Sequence, residues 1–242
     1  VLNEALRLST NAGDGTQVAF TLAMLGRAHL LRDELDTARA AFDESLAGAL
    51  RENWTAFAPW PEALRGDVDL ASGATDAAVE RYEHAFALAC QLGDPCWEGI
   101  AARGIGLAAA ARDEIDKALE WLGEARTRCV RLPDAWLWIE AYTLDALCSL
   151  GVEHRLPAAP AWIDALAALA ARTGMRQFAA SAHCYRARLG DDPALTAAQL
   201  LAAEIDNPAL SAMLSDAVAG GPARSASLGA RSRRPVGPTT SL

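Results

Sequence analysis

Apolar residues along this chain recur at helical spacing in blocks, and the blocks themselves recur every 40 residues. Val18 to Leu31 carries the first block, Arg32-Asp33-Glu34-Leu35-Asp36 makes a polar turn, and Thr37 to Leu50 carries the second. The same turn returns as Arg112-Asp113-Glu114-Ile115-Asp116, and Ser72-Gly73-Ala74-Thr75-Asp76 replaces it between them. The pattern predicts pairs of helices, each pair closed by a short polar turn.

Columns through the pairs sharpen this expectation. Ala38, Ala78, Ala118 and Ala158 share one column, and Phe42, Tyr82, Leu122 and Trp162 follow four positions on. Ser45, Ala85, Ala125 and Ala165 come three positions later, and Gly26, Gly66 and Gly106 keep the step upstream. A small residue lets the second helix approach the first, and the bulky residue one turn later fills the groove beside the contact. Self-similarity at this period marks stacked repeats that bury their apolar faces only against their neighbours. The fold class expected is all-α, a single elongated array of units at about 17–53, 54–93, 94–133, 134–173 and 174–206. Ala5 and Leu6 fall in register with Ser45 and Leu46, so residues 1–12 read as a half unit, and the missing start Met suggests a piece of a longer protein.

Local chemistry fits the array. Asp36, Asp76 and Asp116 stand before the second helices, where a carboxylate caps free N–H groups and favours the helix dipole. Connectors at Gly13, Gly93, Pro133 and Gly174 suit helix ends. Pro157 and Pro160 crowd the fourth turn and are placed in a first helical turn. A fifth pair is expected over Met175 to Leu189 and Pro193 to Ile205, with Ala198 and Ala202 in the columns. Residues 1–219 thus form the array, and 220–242, rich in Ser, Arg, Pro and Thr, form a basic tail expected to be disordered.

Composition narrows the function. Net charge is -9 at pH 7, and four arginines in the tail leave -13 on residues 1–220, which disfavours direct nucleic-acid binding by the array. Lys117 is the one lysine among 22 basic residues, a bias of GC-rich coding sequence. Five cysteines without a CxxC pair indicate free thiols in a reducing compartment, hence a cytoplasmic protein, with no membrane span and no metal site. His29, His84, His154 and His183 are scattered, and Gly104-Ile105-Gly106 lies inside a helix without a preceding strand, so neither an enzyme nor a phosphate loop is expected, and no cofactor.

On the residues Leu25-Gly26, Ala38, Phe42 and Leu46, and Gly66, Gly73, Ala78, Tyr82, Ala85 and Phe86, the array resembles tetratricopeptide repeats (TPR). It departs from that family in its longer unit and in Leu22, Glu62 and Ala102 where an aromatic is usual. The resemblance implies a right-handed α-solenoid of antiparallel helix pairs, whose first helices line a concave groove that takes a protein, a peptide or a small-molecule inducer. Carried over residue by residue, the groove positions include Phe20, Arg27, Trp60, Asp67, Arg103 and Glu140. Trp54, Trp60, Trp97, Trp136 and Trp138 stand near the starts of first helices, where they serve either as binding contacts or as staples between units. Alanine at Arg27, Trp60 and Arg103 is accordingly expected to weaken partner capture without unfolding the array. Long, degenerate, Ala- and Arg-rich units of this kind also resemble the C-terminal arrays of large bacterial ATP-dependent, LuxR-type transcriptional regulators. That likeness implies a partner- or effector-sensing segment, with ATPase and DNA-binding parts upstream. The alternative is a stand-alone TPR scaffold that joins proteins without switching.

Overall fold

The computed structural model describes residues 1–132 and 136–219, and these are helical throughout their regular structure. Twelve α-helices occur among them: α1 (Leu2–Ala12), α2 (Gly15–Leu31), α3 (Leu35–Arg51), α4 (Pro59–Ala71), α5 (Thr75–Leu92), α6 (Pro95–Ala111), α7 (Ile115–Cys129), α8 (Leu137–Glu153), α9 (Ala159–Thr173), α10 (Arg176–Arg188), α11 (Asp192–Ala202) and α12 (Pro208–Ala219). A single 3-10 turn, Thr55–Phe57, leads into α4. Helix α1 covers the residues expected as a half unit, and α10 and α11 lie within those expected as a fifth pair. The tail 220–242 and the connector residues Pro133 and Asp134 lie outside the described residues.

Each helix packs on its neighbour in sequence, and the first helices α2, α4, α6, α8 and α10 also touch one another in succession. The columns explain the pairing. Ala38, Phe42 and Ser45, then Ala78, Tyr82 and Ala85, then Ala118, Leu122 and Ala125 are all fully buried. Ser45 keeps its hydroxyl satisfied by donating to the Ala19 carbonyl at 2.7 Å. The glycine column is there for close approach: a Cβ on Gly66 would stand 2.7 Å from the Tyr82 ring, and one on Gly26 2.8 Å from Phe42.

The turns are built on one left-handed residue each. Asp33, Gly73 and Asp113 have φ of 61°, 82° and 63°, so the sequence difference between the turns conceals one geometry that Gly and Asp both tolerate. The expected capping aspartates need correction. Asp36, Asp76 and Asp116 sit inside the first turns of their helices, and the residues before those helices make no side-chain cap. Their carboxylates favour the dipole alone. True caps are Asp14, which accepts from the Gln17 N–H at 3.0 Å, Asp94, which accepts from Cys96 and Trp97 at 2.9 and 3.2 Å, and Asn207, which accepts from the Leu210 N–H at 3.2 Å.

The unbroken register fails at the fourth unit. Ala158 is exposed, and Ala159, Ile163 and Leu166 take the buried column, one residue late. The cause is a longer turn. Three residues separate α2 from α3, α4 from α5 and α6 from α7, whereas His154 to Ala158 separate α8 from α9. Pro157 belongs to this turn and not to the helix, while Pro160 does lie in the first turn of α9.

The array is also less elongated than its sequence suggests. Arg27 of α2 donates to the Tyr142 hydroxyl of α8 at 2.8 Å, across 115 residues. Arg32, just after α2, bonds Asp206, just before α12. The first unit therefore meets the fourth and the far end of the array.

Candidate functional site

The inner faces of the first helices converge on one aromatic and charged cluster. Phe20 of α2 lies 5.4 Å from Trp60 of α4, and Phe57 meets Trp60 edge-on at 5.1 Å. Trp60 stacks on Trp97 of α6 at 5.5 Å with planes 1° apart, and both rings approach Trp136. Trp138 and Tyr142 of α8 continue the chain of rings to Phe178 of α10. Arg27 lies over Trp138 at 4.2 Å and Tyr142 at 5.0 Å, so its charge is held by two ring faces as well as by the hydroxyl.

Beneath the rings is a buried ion pair. Arg103 of α6 donates through Nη1 to Asp67 Oδ2 at 2.9 Å and Oδ1 at 3.2 Å, and the Tyr82 hydroxyl donates to Asp67 Oδ1 at 2.7 Å. The side chains of Arg103 and Asp67 are 0% and 1% exposed. Burial, the largest influence, opposes the Arg103 charge, yet Asp67, together with Tyr82 and Tyr142, holds the guanidinium above its ordinary pKa. Burial, with the Asp67 charge behind it, pushes the Tyr82 hydroxyl well above its usual range, so it remains a donor.

A second carboxylate is clasped at the outer end of α4. Asp69 takes Arg65 at 2.5 Å, Arg39 of α3 at 2.9 Å and Arg81 of α5 at 2.9 Å. Burial would raise its pKa, but the three guanidiniums, Arg65 foremost, hold it below the ordinary value.

The six groove residues expected from the resemblance therefore divide. Trp60, Asp67 and Arg103 are buried together and sealed from solvent, which corrects their expected place on an open groove surface. Phe20 and Arg27 are half-buried at the rim of the same cluster. Glu140, half-buried on α8, makes no hydrogen bond or ion pair among the described residues. Of the two roles open to the tryptophans, stapling is what the packing shows: Trp54, Trp60, Trp97, Trp136 and Trp138, from three units, join one ring cluster. Tyr142 is not among the expected groove residues, although its place one helical turn after Trp138 marks it as part of the same stripe.

Other chemistry is sparse. Among the described residues no group of His, Cys, Asp and Glu is arranged to hold a metal ion. His29 and His84 each face a carboxylate, Glu34 at 2.5 Å and Glu62 at 2.8 Å. Burial pushes the Cys96 thiol up to about 11 and the Cys129 and Cys184 thiols to about 12, which makes them poor nucleophiles. None of the described helices is long and apolar enough to cross a membrane. Gly104-Ile105-Gly106 lies within α6, where a Cβ on Gly104 would come within 2.1 Å of the Tyr82 ring. Compared with known proteins, the chain matches no protein-family model, and no curated protein is similar to it.

Proposed function

We propose that this chain is a TPR-like binding module, a right-handed solenoid of antiparallel helix pairs, that senses an effector or partner within a cytoplasmic bacterial transcriptional or signalling regulator. The observation that carries this reading is the contact of Arg27 with Trp138 and Tyr142. In a stack whose units touch only their neighbours, curvature spreads along the array without a latch. Here a half-buried arginine on the first unit closes onto the fourth, so the array has a closed arrangement that a bound molecule can favour or oppose. A ligand shifts such an equilibrium only by its differential affinity for the two arrangements. Phe20, half-buried at the rim, is one inner residue placed to make such a difference.

The stand-alone scaffold is the second reading, and the buried Asp67–Arg103 pair favours it, because a filled interior suits a fixed shape. The reading frame that encodes the chain separates the two. The regulator requires a phosphate-binding loop and a DNA-binding helix pair in the same frame as Val1 to Leu242. A frame with neither would overturn it in favour of the scaffold.

A further inference from the structure

The slip at the fourth unit opens a cleft on the outside of the array. At each of the two earlier junctions, a side-chain contact bridges the second helix to the next unit. Asp43 of α3 accepts from Arg65 of α4 at 3.0 Å, and Phe86 of α5 meets Trp121 of α7 edge-on at 5.3 Å. At the third junction the stripe Leu119, Gly123, Arg126 and Val130 of α7 borders a cleft of about 760 Å³.

Position by position, the side chains that make those bridging contacts are replaced at this junction. Gly123 stands where the earlier helices carry Asp43 and Glu83, and Arg126 stands where α5 carries Phe86. A Cβ at Gly123 would meet nothing within 4 Å. Trp162 holds the place of Trp121 once the one-residue slip is counted. Because Ile163 has taken the buried position, Trp162 is turned outward and forms a wall of the cleft. The buried Leu147 and the half-buried Leu156 complete an apolar floor.

We infer that this cleft binds a small organic monocarboxylate with an apolar body. Its volume lies within the roughly 300–1,000 Å³ of small-molecule sites, and its lining is apolar with one convergent charge. That charge is Arg126, which has no carboxylate partner among the described residues. The neighbouring Arg128 is already committed to Glu98 and Glu124. A planar guanidinium with free donors suits a carboxylate head, and Trp162 offers its ring to the apolar body. One cation within an acidic array selects a monoanion over a polyanion. The inference needs only the α7–α9 junction and stands whether or not the array belongs to a regulator.

The test is a ligand-observed NMR titration of the full chain with sodium 2-naphthoate and sodium decanoate, with 2-naphthalenemethanol as a neutral counterpart. Both carboxylates are expected to bind saturably. Arg126→Met should weaken them roughly tenfold or more, as loss of a charge-assisted pair does, while leaving the neutral probe unchanged. Gly123→Trp should abolish binding of all three by filling the cleft. Its site is an exposed helical position with open space around it, so the variant retains the fold, which its melting curve checks. Absence of saturable carboxylate binding to the parent chain would overturn the inference, as would binding indifferent to both substitutions. Binding of a peptide with a free C-terminus where neither small carboxylate binds would also overturn it.

Discussion

Asp67→Ala is expected to lower the unfolding free energy by about 3–5 kcal/mol, the cost of leaving a buried charge without its partner. Arg103 has no exposed surface from which to recover hydration, and Tyr82 loses the acceptor of its hydroxyl in the same change. Urea denaturation reads the loss as a lower midpoint at unchanged slope. A double variant, Asp67→Leu with Arg103→Met, should recover most of it, because an apolar pair of similar volume removes the stranded charge. If Asp67→Ala alone melted like the parent, the pair would have to be solvated and the cluster open.

Trp60→Ala should cost a comparable amount, about 3–5 kcal/mol, through the cavity left by a large buried ring. Trp60 is fully buried and lies within 6 Å of Phe20, Phe57, Trp97, Trp136 and Trp138. Its loss therefore loosens four units at once. Phe20→Ala, which truncates a half-buried ring at the rim, should cost clearly less. The comparison is made by thermal melting with near-ultraviolet circular dichroism as a second readout. Equal, small effects of the two changes would mean that Trp60 lies on an accessible surface, as its place in a groove would require. The expectation that alanine at Trp60 and Arg103 spares the fold is thus reversed by their burial.

The helix pairs were legible because their signal is local. Alanine at 38, 78 and 118 and the bulky residue four positions on are visible in any window that holds one unit. The slip was hidden by coincidence: Ala158 and Ala159 are adjacent alanines, and Trp162 and Ile163 are adjacent bulky residues, so the 40-residue column reads equally well through either. Only the longer turn around Pro157 decides between them, and it decides for the second pair. The closure of the array was not legible at all. Arg27, Trp138 and Tyr142 are far apart in sequence, and what brings them together is the accumulated rotation of three unit-to-unit steps, which no short motif encodes. Glu83 to Gly123 and Phe86 to Arg126 look like ordinary surface variation in the sequence. They acquire meaning once the junction between α7 and α9 is seen to open.

Two features set this array apart from a plain stack: a latch across the inside and a cleft at the broken junction outside. The Arg27 contact joins the first unit to the fourth, and the cleft lies beside the turn where the repeat register slips. The first of them depends on the array curving far enough for its first unit to meet its fourth.

A double-mutant cycle between Arg27→Met and Tyr142→Phe tests that curvature most directly, with stabilities taken from urea denaturation of the two single variants and the double variant. Residues in contact couple by roughly 0.5–3 kcal/mol, and distant ones add within about 0.3–0.5 kcal/mol. A coupling above about 0.5 kcal/mol between these residues, 115 apart in the chain, is the predicted result. Additivity within about 0.3 kcal/mol would contradict the closed array.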